Sequence, residues 1–213
     1  MIRLAISVEG QTEEEFVNEI LDPHLRNFCV LSKPILLKVT GGNQRGGNVS
    51  INNLVRNMKK LKRSHHYVTS LVDFYGFKKK ENFTVDQLEL QILEGVLESS
   101  SIPEKTIIPY VQLHEFEGLL FSDVEKFVEQ IGAKQSNAKE LRKIANRFPN
   151  PEKINDNKNT APSKRILRII PEYNKVTYGS LIAKKIGLEN IRAKCPRFNC
   201  WVTKLESLQD YSQ

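Results

Sequence analysis

The chain begins with an apolar run that ends in Glu-Gly, at residues 2–10: Ile2-Arg3-Leu4-Ala5-Ile6-Ser7-Val8-Glu9-Gly10. This run, stopped by Glu-Gly, predicts a buried β-strand followed by a tight turn. Thr12 can cap the helix that follows, and Glu15, three positions later, completes a capping box. The next apolar residues recur at helical spacing as far as Asp22-Pro23, where we expect the helix to end or kink. A strand that leads directly into a helix is typical of α/β domains.

The alternation of strands and helices continues through the first 131 residues. Apolar runs at 35–39, 67–72 and 107–113 predict three further strands, and helical spacing predicts helices capped by Ser50 and Asp86 and another at 116–127. This alternation favours a mainly parallel sheet with helices on both faces. A long loop at 146–162 and three short helices follow. We therefore predict an α/β core at residues 1–131 and a basic, mostly helical extension at 132–213 that packs on it.

The composition indicates a globular protein without a membrane anchor. Of the 213 residues, 39% are hydrophobic and 27% are charged, a balance that argues against disorder. No apolar run approaches the roughly 20 residues that span a bilayer, and Glu9 interrupts the N-terminus too early for a signal peptide. Three cysteines, Cys29, Cys195 and Cys200, lack the spacing of a disulfide framework, which favours reduced thiols over a zinc site. We expect a cytoplasmic protein with no membrane partner.

Positive charge is concentrated in the second part of the chain. Residues 1–125 carry 14 Lys and Arg against 17 Asp and Glu, whereas residues 126–213 carry 18 against 8. A basic segment attracts polyanions, and nucleic acid is the first of these. A solvated basic surface explains the same charges, and both interpretations stay open.

Three acidic residues, Glu9, Asp73 and Glu115, each come directly after a predicted strand. The carboxyl ends of parallel strands form one edge of the sheet, where ligand sites collect. Clustered carboxylates repel one another unless a cation offsets their charge, and hard oxygen ligands suit Mg²⁺ or Mn²⁺. Such an ion can activate water and neutralise a phosphoryl group. Acids at these positions can also cap helices or face solvent.

Several segments resemble known motifs. The segment at 8–13, Val-Glu-Gly-Gln-Thr-Glu, is similar to the opening motif of Toprim domains, and Leu-Val-Asp-Phe-Tyr-Gly at 71–76 stands where they carry their aspartate motif. Three further segments, at 114–121, 160–165 and 192–196 with Trp201, resemble a Toprim-like bacterial family of domains of unknown function, family 4276. The resemblance implies a Toprim-like fold in which Asp73 and a Glu of the 114–121 segment bind Mg²⁺. Glu9 would ligate the same ion or act as general acid–base beside it.

One departure from the Toprim pattern concerns the second aspartate. Toprim domains place two acids as D-x-D, whereas Tyr75 holds the second position here. Glu115 or Glu117 must then supply the missing ligand. On a helix these two side chains diverge by about 200°, so we expect one of them to reach the metal and take Glu115 as the catalytic residue. His114 is either a partner of a metal ligand or a polar residue satisfied by its surroundings.

Two basic pairs are candidates for substrate binding. Lys164-Arg165, with Ser163 as a helix cap, and Arg192 with Lys194 can hold substrate phosphates. Trp201 either stacks on bases among these cations or belongs to the core.

Three further segments have simpler interpretations. The basic run at 59–63 is interpreted as the outer face of its helix, and Lys78-Lys79-Lys80 as a loop that can touch a bound backbone. The glycine-rich segment at 41–47 lacks the Lys-Ser/Thr pair of a P-loop, so any ATP dependence has to come from another protein.

The leading prediction is a Mg²⁺-dependent nuclease that hydrolyses phosphodiester bonds in DNA or RNA. By the Toprim resemblance it would act in a bacterial defence setting beside a separate ATPase subunit, and analogy with Toprim-like nucleases implies a homodimer. The alternative is a non-catalytic nucleic-acid-binding or adaptor subunit with a degenerate metal site, which Tyr75 favours. A small-molecule phosphatase is a third interpretation, which the basic extension disfavours.

Overall fold

The computed structural model of the chain describes residues 1–37, 49–78, 83–98, 100–155 and 157–212. The chain forms two compact units, one of residues 1–112 with 203–213 and one of residues 113–202. The predicted glycine-rich segment at 41–47 and Lys79-Lys80 lie outside the described residues. The division predicted after residue 131 rests on composition and stays a prediction, whereas packing separates the units between Gln112 and Leu113.

The first unit is a parallel sheet of five strands flanked by helices, which confirms the predicted α/β class. In chain order its elements are β1 (Ile2–Val8), α1 (Gln11–Phe16), α2 (Asp22–Arg26), β2 (Val30–Leu36), α3 (Ile51–Lys62), β3 (Tyr67–Asp73), α4 (Val85–Leu97), β4 (Ile107–Ile108) and β5 (Val111–Gln112). The strand order is β2-β1-β3-β4, and β5 also pairs with β3. Each of these pairings is parallel.

β1 and β3 form the buried centre of this sheet. All seven residues of β3 are buried, and so is every residue of β1 except Arg3. Strands that are covered on both faces have continuous apolar sequences, which is why the sequence pattern locates both of them. The position of the carboxyl edge, where β1 ends at Val8 and β3 ends at Asp73, is therefore fixed by the core.

β2 begins at Val30, five residues before the start predicted at 35. It contains Pro34, which pairs with Ile6 of β1. Proline cannot donate a hydrogen bond to a neighbouring strand, but β2 lies at the end of the strand order, where this costs little. A proline inside an apolar run argues against a strand, and the predicted start was wrong for this reason.

The first helical segment continues past Pro23, where the sequence predicts an end or a kink. A π-helical turn, Val17–Leu21, joins α1 to α2, and the Asp22 amide donates to the Val17 carbonyl five residues earlier. Pro23 falls in the first turn of α2, where a missing amide is tolerated. The helical segment therefore continues through Pro23, because the π-helical turn before it shifts the backbone hydrogen bonds by one residue.

The strand predicted at 107–113 is interrupted between β4 and β5. Pro109 has no amide to donate, and the backbone leaves the sheet at Pro109-Tyr110. The Ser70 hydroxyl of β3 accepts from the Tyr110 amide at 3.0 Å and donates to the Tyr110 carbonyl at 2.9 Å. A side chain thus replaces the strand-to-strand hydrogen bonds that are missing.

The second unit is helical. Its helices are α5 (Glu117–Leu120), α6 (Val124–Ile131), α7 (Gln135–Ala145), α8 (Pro162–Ile169), α9 (Lys175–Ile186) and α10 (Leu188–Lys194), and α11 (Pro196–Glu206) begins in this unit and ends in the first. The three short helices predicted late in the chain are confirmed as α8, α9 and α11. Within the described residues, no helix combines the length and apolar character of a membrane span.

Candidate functional site

Glu9 and Asp73 lie at the same edge of the sheet, as the sequence predicts. Val8, the last residue of β1, pairs with Leu71 of β3, so Glu9 is the first residue beyond its strand. Asp73 is the last residue of β3 and is 7% exposed. Neighbouring parallel strands therefore deliver both carboxylates to the carboxyl edge of the sheet.

The Glu9 carboxylate packs against the turn that follows Asp73. This turn is one 3₁₀ turn, Phe74–Gly76. A Cβ atom built on Gly76 would lie 3.0 Å from Oε1 of Glu9 and would overlap Oε2. Gly76, three residues after Asp73, has no side chain and therefore leaves the space that the Glu9 carboxylate occupies.

The segment at Val49 holds the same turn in position. The Val49 amide donates to the Gly76 carbonyl at 3.0 Å, and the Lys78 amide donates to the Val49 carbonyl at 3.0 Å. Tyr75, which stands in the second aspartate position, is half-buried on the turn, with its ring 6.0 Å from that of Phe74. Backbone hydrogen bonds thus fix the wall against which Glu9 packs.

Helix α1 begins immediately after Glu9, with Gly10 as its N-cap. Oε2 of Glu13 accepts a hydrogen bond from the Gly10 amide at 3.1 Å, and Glu13 is 2% exposed. The predicted cap at Thr12 with Glu15 was therefore wrong, because glycine at the cap has no side chain that marks it in the sequence. Glu13 is a buried carboxylate next to the candidate site that the sequence analysis missed.

Glu115 belongs to the second unit, where it caps a helix. Its Oε2 accepts a hydrogen bond from the Ser163 amide, at the start of α8, at 2.9 Å. Carboxylates are favourable at this end of a helix because the amides there have no intrahelical acceptor. Ser163, predicted as the cap, instead supplies the amide that Glu115 binds.

Glu117 is the first residue of α5 and is 2% exposed. Lys175 lies beside it, with Nζ 3.4 Å from Oε2 of Glu117 and 5.8 Å from the centre of the Phe116 ring. His114, just before this helix, has a φ of 65°, in the left-handed region. No sequence pattern points to Lys175, since it lies far from Glu117 in the chain and follows no recognisable motif.

The cations predicted to bind substrate differ in exposure. Arg165 is 8% exposed, donates from Nε to the Thr160 carbonyl at 2.6 Å, and lies 5.1 Å from the centre of the Phe148 ring. Arg192 donates from Nε to Oδ1 of Asn199 at 2.7 Å. The lysines of the two pairs, Lys164 and Lys194, are exposed. Substrate binding by these four residues stays a prediction.

Trp201 belongs to the core, which is the second of the two interpretations that the sequence allows. It is 3% exposed, and its ring lies 5.6 Å from that of Phe198. Burial to this degree leaves no face of the indole for stacking on a base.

Glu152 is a second buried carboxylate of the helical unit that the sequence analysis missed. It is 2% exposed, and its oxygens accept from the Arg197 and Phe198 amides, each at 2.9 Å, at the start of α11. Burial raises the pKa of this carboxyl above its usual value, and the two backbone hydrogen bonds oppose that effect. It lies near Cys195, whose thiol pKa burial raises to about 12.

The carboxyl edge carries oxygen donors of the kind that hard divalent cations prefer. Among the described residues, no group of three His, Cys, Asp or Glu side chains is arranged to hold a metal ion. Mg²⁺, however, is commonly bound through one or two protein carboxylates, with water and substrate phosphates completing its shell. Glu9 and Asp73 are two such carboxylates, and the Glu9 carboxylate packs directly against Gly76 of the turn that follows Asp73.

Solved structures similar to this chain include two of the C-terminal region of the Xanthomonas campestris pv. campestris OLD protein. The one phased with iodine has a TM-score of 0.48 at 14% identity and covers 98% of this chain and 96% of its own. The one phased with mercury has a TM-score of 0.49 at 12% identity and covers 98% and 97%. No curated protein matches the chain. Residues 8–206 match the family described as "Domain of unknown function (DUF4276)", and the chain therefore belongs to that family.

Proposed function

We propose that this protein is a metal-dependent nuclease that hydrolyses phosphodiester bonds in DNA or RNA. The observation that carries the proposal is the position of Glu9 and Asp73 on adjacent strands at the carboxyl edge of the sheet. Ligands of open α/β sheets bind at this edge. The similarity of the segments at 8–13 and 71–76 to Toprim motifs supports phosphodiester hydrolysis as the reaction.

The two carboxylates take different roles in this proposal. A divalent ion, when bound, supplies an activated water and neutralises charge on the phosphoryl group. Asp73, which the buried strand β3 holds at the carboxyl edge, is the proposed ligand of the ion. Glu9, whose carboxylate packs on the turn at Gly76, either shares the ion or accepts a proton from the attacking water.

Glu115 and Glu117 remain proposed third ligands. The Ser163 amide occupies one oxygen of Glu115, and Lys175 lies beside Glu117. Glu115→Gln keeps an oxygen that can accept from the Ser163 amide while it removes the charge. A drop in metal-dependent cleavage at unchanged melting temperature would support Glu115 as a ligand, and wild-type cleavage would remove it from the site.

A cleavage assay tests the proposal. Plasmid, single-stranded DNA and RNA are incubated with Mg²⁺, Mn²⁺ or EDTA and wild type, Glu9→Gln, Asp73→Asn or the matched control Glu15→Gln, an exposed acid of α1. We expect metal-dependent cleavage that each of the first two substitutions lowers at least about hundredfold. The control should cleave as wild type does. Cleavage that persists in EDTA, or at wild-type rate in both site variants, would contradict the proposal.

A second candidate function is a nucleic-acid-binding or adaptor subunit without catalysis. Tyr75 in the second aspartate position favours it, and so does the ion pair between Glu117 and Lys175, at 3.4 Å. The same assay distinguishes the two functions. Binding that is sensitive to salt and survives Asp73→Asn, without cleavage under any metal condition, would support the adaptor.

The partners of this proposal come from the Toprim resemblance. We propose a separate ATPase subunit, a homodimer and a role in bacterial defence, in the cytoplasm, where the free thiols Cys29, Cys195 and Cys200 would stay reduced. Light scattering on the purified chain tests the dimer, and a single-chain mass would exclude it. Cleavage with ATP and a candidate ATPase, against cleavage without them, tests the partner.

A further inference from the structure

The outer face of α3 carries cations that the proposed function does not use. Helix α3 contains Arg, Lys and Asn among its polar residues and no Asp or Glu. Arg56, Lys60 and Arg63, at its end, are exposed, whereas Leu54 and Met58 are buried. At about 100° per residue, the three cations lie within about 60° of one another, on the side opposite the two buried residues. We call these three residues the α3 stripe.

Charges on the neighbouring elements do not neutralise the α3 stripe. Glu94 of α4 and Glu98, just after its end, line the groove between the two helices together with Lys59. Nζ of Lys59 donates to the Glu98 carbonyl at 2.9 Å, so Lys59 belongs to that groove rather than to the stripe. In the part of the chain that the structure describes, no carboxylate forms an ion pair with Arg56, Lys60 or Arg63.

More positive charge lies around the end of α3. The pKa of His66 is lowered, first by burial and then by nearby charges that include those of Arg3 and Lys62. Arg3 and Lys62 are therefore further positive charges close to the end of α3.

The stability of the helix does not account for this arrangement. Cations are favourable in the last turn of a helix, which suits Lys60 and Arg63, but this effect is confined to that turn and does not reach Arg56. Arg56 and Lys60 are four positions apart, and Lys60 and Arg63 are three apart. Like charges at these spacings destabilise a helix. An anionic partner would relieve this repulsion.

We infer that the α3 stripe binds the phosphate backbone of a nucleic acid. The stripe extends about 10 Å along the helix, which suits several phosphates of one backbone. A membrane surface fits the stripe less well than a nucleic acid does. Helices that bind membranes insert an apolar face into the bilayer, whereas the apolar face of α3 is buried in the protein and the stripe itself is entirely charged. The stripe is separate from the carboxyl edge, and the inference goes beyond the proposed function.

Binding measured in EDTA tests the stripe without any cleavage. The full chain, the triple variant Arg56→Gln/Lys60→Gln/Arg63→Gln and a control triple are titrated against labelled duplex DNA, single-stranded DNA and RNA over a range of salt concentrations. The control removes three exposed cations of α7, Lys139, Arg142 and Lys143, the last two of which are paired with Glu125 and Glu140. Both triples change the net charge equally.

We expect the stripe variant to bind nucleic acid at least about tenfold more weakly than wild type. The slope of log K against the logarithm of the salt concentration should become smaller in magnitude by about 2 to 3. The affinity of the control triple should change less than twofold. An equal loss in both triples, or no loss in either, would overturn the inference. So would stripe-dependent binding to phosphatidylserine vesicles without stripe-dependent binding to nucleic acid. Stripe-dependent binding by a chain that never cleaves would support this inference and contradict the nuclease.

Discussion

Two groups of carboxylates differ in their contribution to stability: those at the starts of helices and those at the ends of strands. Glu115 and Glu152 accept hydrogen bonds from the amides that begin α8 and α11. These amides have no intrahelical acceptor, so both carboxylates stabilise the helices that they cap. Glu9 and Asp73 instead lie at the carboxyl edge of the sheet, where parallel strands place ligand sites.

An acid that follows a strand is therefore not by itself a sign of function. Glu9, Asp73 and Glu115 look alike in the sequence, since each follows an apolar run. In the structure, Glu115 also accepts a hydrogen bond from the Ser163 amide of α8, which gives it a role in folding whether or not it binds a metal ion. Substitutions can separate the two classes, because a cap should affect stability and a site residue should affect activity.

Among substitutions that leave both carboxylates in place, Gly76→Ala should have the largest effect, and the effect is on cleavage. The new Cβ overlaps the Glu9 carboxylate and displaces it, and small misplacements of a reacting group cost up to about a hundredfold in rate. We expect cleavage to fall by about that factor. A double-mutant cycle with Glu9→Ala, measured on the free energy of unfolding, is the control. Gly76→Ala should destabilise wild type but should not destabilise the Glu9→Ala variant, which lacks the carboxylate that the new Cβ overlaps. Equal destabilisation in both backgrounds would show that Gly76 acts through another contact.

Glu152→Ala should affect stability instead. It removes the acceptor for two amides at the start of α11, and leaving buried donors without an acceptor costs about 2 kcal/mol. Urea unfolding measures this loss. Glu189→Ala, which removes an exposed acid from the first turn of α10, is the matched control and should cost less than about 0.5 kcal/mol. Equal effects would mean that the cap contributes nothing beyond its charge.

The titration of Glu152 should also make stability depend on pH, and this effect should be smaller than that of Glu152→Ala. The folded pKa of Glu152 is raised by burial above its ordinary value of 4.5, so the folded state favours the protonated form. Its contribution to stability is therefore greatest below about pH 4.5 and declines as the pH rises through the raised pKa. Glu152→Gln does not titrate, so its stability relative to wild type should rise with pH over that interval. A constant or falling difference would contradict the raised pKa.

Thiol reactivity tests how closed the interior around Glu152 is. Cys29 and Cys200 are exposed, whereas Cys195 is buried with a pKa of about 12. At pH 8 its thiolate fraction is roughly 10⁻⁴, so a thiol reagent should modify two cysteines quickly and the third only after unfolding. Three thiols reacting at one rate in the native protein would contradict the burial.

The sequence predicts the parts of the fold that rest on buried, local patterns. The apolar runs of β1 and β3 locate the central strands and therefore the positions of Glu9 and Asp73. The cap of α3 at Ser50 is confirmed, because its hydroxyl accepts a hydrogen bond from the Asn53 amide three residues later. These features depend on neighbours in sequence, which periodicity and spacing report.

The parts that were wrong depend on compensation by distant groups. Thr84, not Asp86, caps α4, because Gln87 completes the capping box from within the helix. Pro34 is tolerated because β2 lies at the end of the strand order, and the break at Pro109 is bridged by Ser70. The partners of Glu115 and Glu152 lie about 45 residues away in the chain, so no local pattern could identify these caps.

The most direct test of the central claim, that the strand-end carboxylates hold a divalent cation, is Mn²⁺ binding measured by electron paramagnetic resonance. Wild type, Glu9→Gln, Asp73→Asn and Glu152→Gln are titrated at one pH at which all four are folded. We predict that the affinity falls at least about tenfold in Asp73→Asn and in Glu9→Gln and is unchanged in Glu152→Gln. Wild-type affinity in Asp73→Asn, or an equal loss in Glu152→Gln, would contradict the claim.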